Sequence, residues 1–91
     1  MTAARTAGER SDAPERVIVS PADGRYHPRR PDILTDEGEI IHAGQVIGDV
    51  ERSGVQTPVS SPFTGFFMGV MADAGELVRP GQPVAWLRAT G

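Results

Sequence analysis

The sequence predicts an all-β domain built from two similar halves. Short apolar runs alternate with turns rich in Gly and Pro, and no window of about eleven residues shows the apolar period of a helix. A Ser-Pro-x-x-Gly motif occurs twice, at Ser20–Gly24 and Ser61–Gly65, and each copy is followed by a Gly-Glu pair and a Gly-Gln pair. This duplication predicts a flattened β-barrel or sandwich whose two four-strand halves are related by a pseudo-two-fold axis.

Eight strands are expected, each rich in β-branched or aromatic residues and closed by a turn former. In chain order they are Val17–Val19, Arg25–Tyr26, Ile40–Ile41, Val46–Val50, Val55–Val59, Phe66–Val70, Leu77–Val78 and Val84–Leu87. The Gly-Glu pairs stand closer together along the chain than the Ser-Pro motifs, so the first half contains an insertion. It falls within residues 27–36, which are rich in Pro and charge and therefore predict a loop.

Composition limits the classes of function. Residues 1–15 contain no apolar run and predict a disordered tail, which leaves residues 16–91 as the domain. The chain has no cysteine and no apolar stretch of the length that a signal peptide or a membrane span requires, so we expect a cytoplasmic protein without membrane contact. Its net charge is −3, its arginines are scattered and its aromatic residues are few, which argues against a nucleic-acid partner.

Two segments carry a resemblance to a known family. Gly44–Glu51 reads Gly-Gln-Val-Ile-Gly-Asp-Val-Glu, and Gly81–Leu87 reads Gly-Gln-Pro-Val-Ala-Trp-Leu. With the two Ser-Pro motifs, their order and spacing resemble the biotinyl/lipoyl attachment domain family over Val17–Leu87. The closest resemblance is to the biotin carboxyl carrier protein of acetyl-CoA carboxylase, an enzyme of fatty acid biosynthesis. The resemblance implies a barrel-sandwich hybrid fold with a hairpin that presents a lysine for biotin or lipoate.

That lysine is missing. All nine basic residues of the chain are arginine, and the spacing from Glu51 to Gly65 places Gly54 at the family's attachment position. The residues of this degenerate attachment hairpin are Glu51, Arg52, Ser53, Gly54 and Val55. A hydroxyl such as that of Ser53, at an exposed turn without an adjacent base, is not an activated acceptor. We therefore expect no biotin or lipoate on this chain, no catalytic residue and no enzymatic activity.

A scaffold without its attachment site predicts a protein that binds other proteins. We expect a non-catalytic interaction or assembly subunit, with carboxylase subunits as the partners that the resemblance implies. The candidate partner surface contains Tyr26, His27, Arg29, Arg30, Phe66, Phe67 and Trp86. His27 and His42 are the only histidines, and the acidic residues near His42 are typical of a solvated turn, so no metal site is expected.

Two other functions remain open from the sequence. Lipoyl-like adaptor domains of transport or secretion systems also lack the lysine, although a long helical hairpin usually interrupts them at the tip. A shallow groove near Gly54 could also bind a small ligand without a covalent bond. An enzyme would need a nucleophile, a base and an oxyanion arrangement, and the sequence offers none.

Overall fold

The computed structural model describes residues 15–29, 34–35 and 38–89, with only the backbone of residues 34–35. Nine strands and no helix occur among these residues, so no described helix could cross a membrane. The strands are β1 (Glu15–Val19), β2 (Gly24–Pro28), β3 (Leu34–Thr35), β4 (Gly38–Ile41), β5 (Val46–Arg52), β6 (Val55–Ser60), β7 (Gly65–Val70), β8 (Leu77–Val78) and β9 (Pro83–Ala89).

The strands form two antiparallel sheets whose orders are related by the duplication. The first sheet has the order β1-β9-β7-β4-β3, and the second has the order β6-β5-β2-β8. The strands β1, β2, β4 and β5 of the first half correspond in order to β6, β7, β8 and β9 of the second half. When each strand is replaced by its counterpart, the order β1-β9-β7-β4 becomes β6-β5-β2-β8. Apart from β3, which adds a fifth strand to the first sheet, each half contributes two strands to each sheet, which confirms the predicted all-β sandwich with pseudo-two-fold symmetry.

The two buried serines show why the Ser-Pro motif is repeated. Ser20 and Ser61 are each 1% exposed. Each hydroxyl donates to the carbonyl two residues ahead, at 2.7 Å for Ser20 to Ala22 and 2.6 Å for Ser61 to Phe63. The same oxygen accepts the N–H of that residue, at 3.3 Å and 3.1 Å. The serine thus replaces backbone partners at a corner where the chain leaves one sheet for the other.

The core lies between the sheets and draws on both halves. Its largest fully buried side chains include Tyr26, Ile18, Ile41 and Leu87. Burying an aliphatic side chain of this size stabilises the fold by about 1.5–3 kcal/mol. Phe63 and Phe67 pack against this core from its margin. Burial also raises the pKa of the Tyr26 phenol.

The structure extends the sequence prediction in three places. All eight predicted strands form, and a ninth, β3, lies in the segment predicted to be a loop. β2 continues to Pro28, two residues into the same segment. The two sheets are not joined by strand pairing among the described residues, so the fold is a sandwich with edges rather than a closed barrel. Glu15, assigned to the tail from the sequence, is the first residue of β1, and residues 1–14 lie outside the described part.

Candidate functional site at the hairpin between the halves

The hairpin that joins β5 to β6 has a tight two-residue turn. Arg52 pairs with Val55, and the two residues between them, Ser53 and Gly54, have φ angles of 51° and 80°. Two consecutive positive φ angles are typical of a type I′ turn, whose twist matches that of the flanking strands. Oε2 of Glu51 accepts the N–H of Gly54 at 3.0 Å. The predicted Ser-Gly hairpin is confirmed, with its turn amide held by the glutamate at its base.

Gly54 lies at the tip of this hairpin, with open space in the direction that a side chain would take. A Cβ atom built on Gly54 would meet no other atom within 4 Å. Ser53 and Val55 are exposed on either side, and Val55 is 65% exposed. The tip therefore has room for a long side chain, although its φ of 80° disfavours every residue except glycine by about 1–2 kcal/mol.

An open cleft of about 650 Å³ adjoins the hairpin. Its lining comes from the first turn, the hairpin and the β8–β9 segment: Asp23, Gly24, Arg25, Glu51, Arg52, Ser53, Leu77, Val78, Arg79 and Gln82. Nη1 of Arg25 donates to the Gly75 carbonyl at 2.9 Å, while Arg52 lies 3.6 Å from the Asp23 carboxylate. Three guanidinium groups thus line the cleft beside two carboxylates, and one of these already accepts the turn amide of Gly54.

Close backbone packing fixes this end of the molecule. Gly24 has a φ of 148°, and a Cβ atom there would lie 2.5 Å from the Glu51 carbonyl oxygen. Gly65 occupies the equivalent position in the second half, where a Cβ atom would collide with the Arg88 carbonyl. Only glycine permits such contact between the corner and the facing strand. The first of these contacts holds the corner after β1 directly against the base of the hairpin.

The predicted partner residues do not form one surface. Tyr26 is only 1% exposed and belongs to the core, so its assignment to a partner surface was wrong. Phe67 also turns inward, while its neighbour Phe66 faces the other side of the sheet. Phe66 and half-buried Trp86 lie on the first sheet.

The charged members of that predicted surface lie elsewhere. Exposed His27 pairs with Asp49 across β2 and β5 in the second sheet. Arg29 follows β2 and places its guanidinium 3.7 Å from the Asp49 carboxylate. Arg30 lies outside the described residues. Histidine and acidic side chains within the described ranges form no group of three that could hold a metal ion.

The sequence prediction missed an apolar outer face. Val17 and Val19 in β1 and Met68 in β7 are each between 41% and 46% exposed, and all belong to the first sheet. The Nε1 atom of Trp86 lies 3.2 Å from the Cβ position of Gly69, so the indole lies across the neighbouring strand on this face. The unbroken apolar run Val17-Ile18-Val19 was the available signal, because an edge strand with only one buried face usually alternates.

The chain folds as a β-sandwich of two related halves joined by the hairpin, and the solved structures that contain a similar fold include two carboxylases. One is the urea carboxylase of Kluyveromyces lactis, with a TM-score of 0.64 and 20% identity. The match covers 80% of this chain and 6% of that one. The other is a single-chain, multi-domain long-chain acyl-CoA carboxylase, with a TM-score of 0.67, 19% identity and coverage of 86% and 7%.

This likeness establishes the fold, and the chain spans only a small part of either enzyme. No protein-family model matches the chain, and no curated protein matches it.

Proposed function

We propose that this chain is a non-catalytic, carrier-like subunit that helps to assemble a biotin-dependent carboxylase, with acyl-CoA carboxylases as the first candidates. The observation that carries the proposal is a carrier-like hairpin with glycine at its tip in a chain without lysine. A biotin or lipoyl ligase needs an amine that can attack an activated acyl group, and this hairpin offers none. In this proposal the chain acts in the cytoplasm and carries no prosthetic group.

The likeness to two carboxylases supports the choice of partner. In both solved structures the similar fold is a small part of a much longer chain. A domain that forms a small part of a long chain has the rest of that chain to contact, so in this proposal its surfaces serve protein contacts. The apolar outer face of the first sheet fits that role, because exposed apolar patches on small domains commonly mark interaction sites.

Co-purification from the host tests the assembly role. The tagged full-length chain is expected to elute from a size-exclusion column in a complex that contains carboxylase subunits. The intact mass of the chain itself is expected to be that of the unmodified polypeptide. An unrelated lipoyl domain with the same tag is the control and is expected to recover none of these subunits. Elution of the chain alone from the extract, with no carboxylase subunit in any fraction, would refute the proposal.

The hairpin cleft supports a second candidate function, the non-covalent binding of a small anionic ligand. Three arginines and two acidic residues line it, which gives a net charge of +1 (3 − 2) in a chain whose net charge is −3. Free biotin and free lipoate, both carboxylates, are suitable probes. Saturable amide shift changes confined to the cleft, and their loss in Arg79→Ala, would support this candidate. Shifts that never saturate would exclude it for these two probes.

A further inference from the structure

The equivalent edge strands of the two halves differ in the residue at their centre. β1 is an edge of the first sheet, and β6 is the equivalent edge of the second. An edge strand presents backbone N–H and C=O groups that another chain can pair with, and proteins often block such edges with proline or charge. Pro58 stands at the centre of β6, whereas the equivalent residue of β1 is Val17.

The hydrogen-bond pattern shows which groups of β1 face outward. The N–H of Ser20 donates to the Gln82 carbonyl at 2.8 Å, so Ser20 faces β9. Because the direction alternates along a strand, Ile18 and Arg16 face β9 as well, while Glu15, Val17 and Val19 direct their backbone groups away from it. The Glu15 carbonyl accepts Nη1 of Arg16 at 2.9 Å. The accessible part of this edge is therefore centred on Val17 and Val19.

The same reasoning shows that β6 is blocked at its centre. In a two-residue hairpin the pair that closes the turn, here Arg52 and Val55, is a hydrogen-bonded pair. Thr57 and Val59 then face β5, and Pro58 faces the free edge. Proline has no N–H, so the central donor of this edge is missing. The duplicated scaffold thus supplies an internal comparison of a blocked edge with an unblocked one.

The surroundings of β1 suit a chain laid along its edge. An open groove of about 460 Å³ is lined by Val17–Val19 and by the turn Ser60–Phe63. Val17 and Val19 are 44% and 46% exposed on the first sheet. At the far wall of the groove, the guanidinium of Arg16 lies 5.8 Å from the centre of the Phe63 ring. Among the described strands, β1 pairs with β9 alone.

We propose that the edge of β1 that no described strand covers binds an extended segment of a partner protein as an added strand of the first sheet. This rests on the proposed assembly function and specifies how the partner is held. The occupant is a segment that offers N–H groups at alternate positions without proline, with β-branched side chains beside Val17 and Val19. Its affinity comes from main-chain hydrogen bonds, as in other cases of strand addition.

Size favours a partner segment over a second copy of this chain. β1 has five residues and is about 17 Å long. Two such strands paired across a two-fold axis bury much less than the roughly 1,600 Å² typical of a stable dimer. A single extended segment needs no such area, because it can lie in the groove and use the backbone groups of the edge directly.

A peptide titration of the full-length ¹⁵N-labelled protein tests the proposal. The probe is an acetylated and amidated peptide of alternating valine and threonine, with a serine and an arginine at each end. The control peptide has proline at the alternate positions and the same charge. We expect the probe to cause saturable shift changes at Glu15, Val17 and Val19, and the control to cause none.

Exchanging the edge residues between the halves provides matched variants. Val17→Pro is expected to abolish binding at β1 while the protein stays folded, because the same scaffold accepts Pro58 at the equivalent position. Pro58→Val is expected to add a second binding site at β6. Val17→Thr keeps the N–H and is expected to retain binding. Retained peptide binding in folded Val17→Pro, or no binding to the wild type, would overturn the proposal.

Two other occupants give distinct results. A dimer in sedimentation velocity that Val17→Pro abolishes would assign the edge to a second copy and overturn the proposal. Binding that appears only after deletion of residues 1–13 would assign it to the chain's own N-terminal segment, with the same consequence. If carboxylase subunits co-purify equally with Val17→Pro, the assembly function is supported and the proposed role of the β1 edge is refuted. If the peptide binds as expected but no subunit co-purifies, binding at the β1 edge is supported and the assembly function is refuted.

Discussion

The two halves of the molecule have equivalent corners but different outer faces. At the corners, Ser20 and Ser61 make the same hydrogen bonds. The second turn of each half matches as well. The backbone N–H of Gln45 donates to the His42 carbonyl at 2.9 Å, and the backbone N–H of Gln82 donates to the Arg79 carbonyl at 3.0 Å.

The outer faces diverge at equivalent positions. Trp86 on β9 corresponds to Asp49 on β5, and Val19 on β1 corresponds to Ser60 on β6. The duplicated residues are those that the backbone geometry demands, whereas the outer positions are free to differ. The differences between the halves therefore indicate where each face meets water or another molecule.

Rebuilding the tip of the β5–β6 hairpin gives the largest expected effect, because it introduces a lysine that a ligase can modify. Arg52→Ala, Ser53→Met, Gly54→Lys and Val55→Met together restore the family's tip on a hairpin whose Gly54 points into open space. A lysine displayed at a pre-organised apex is what such ligases recognise, as the resemblance implies. We expect a biotin ligase to increase the intact mass of the quadruple variant by that of one attached biotin. The single variant Gly54→Lys is expected to be biotinylated poorly.

The control for this experiment is a genuine carrier labelled in the same reaction. If the folded quadruple variant stays unmodified there, either the register from Glu51 to Gly65 is wrong or the surface that docks the ligase is lost. Moving the lysine to position 53 or 55 separates these explanations. Each shift of one residue changes the direction of the side chain at the tip.

Adding a methyl group at the equivalent corners should damage both halves, and Gly24 should be the more sensitive because its φ of 148° adds backbone strain to the close contact. We expect Gly24→Ala and Gly65→Ala each to lower the free energy of unfolding by about 2–4 kcal/mol, since each Cβ atom meets a backbone carbonyl. Gly44→Ala, whose Cβ meets nothing within 4 Å, should cost only the strain of its φ of 90°, about 1 kcal/mol. Urea unfolding measures all three. A cost near that of Gly44→Ala in either half would show that the corner contacts differ.

Removing the corner hydroxyls should have a smaller but again matched effect. Ser20→Ala and Ser61→Ala each leave one partly buried N–H and one partly buried C=O without their side-chain partner, which costs about 1–2 kcal/mol. Exposed Ser60→Ala is the control and should change stability by less than about 0.5 kcal/mol. Costs in the two halves that differ by more than about 1 kcal/mol would contradict their equivalence.

Deletion of residues 1–13 should have the smallest effect. This segment precedes β1 in the first half and carries few apolar side chains that could offset the entropy of ordering it. We expect the Tm measured by calorimetry to change by less than about 2 °C, which corresponds to a few tenths of a kcal/mol. A loss of several degrees would mean that the segment contacts the sandwich.

The sequence predicted the fold because its two strongest signals are local and repeated. Serine at a corner and glycine at a close approach leave clear marks in the sequence. The strand at Leu34–Thr35 left no such mark, because it is only two residues long and lies in a segment rich in Pro and charge. Tyr26 was misplaced for a related reason, since the two-residue run Arg25–Tyr26 shows alternation without showing which side faces the core.

The candidate site was predictable in part. The spacing of motifs located the hairpin, and the Ser-Gly pair indicated a two-residue turn. The cleft beside it joins residues from the first turn, the hairpin and the segment around Arg79, which are far apart in the chain. Only the packing of the two halves brings them together. The unblocked edge of β1 likewise depends on which strand lies beside it, and the sequence alone does not contain that information.

The pairing of β1 with β9 also makes this fold a candidate for circular permutation. Glu15 lies opposite Arg88, so the first and last of the described strands run side by side as β5 and β6 do at the hairpin. The pseudo-two-fold axis exchanges these two ends of the sandwich, and the hairpin turn is the counterpart of the gap between Ala89 and Glu15. A short linker from Ala89 to Glu15, in place of the residues that lie outside the described part at either end, with the chain opened between Ser53 and Gly54, would therefore exchange the order of the halves without altering either described sheet.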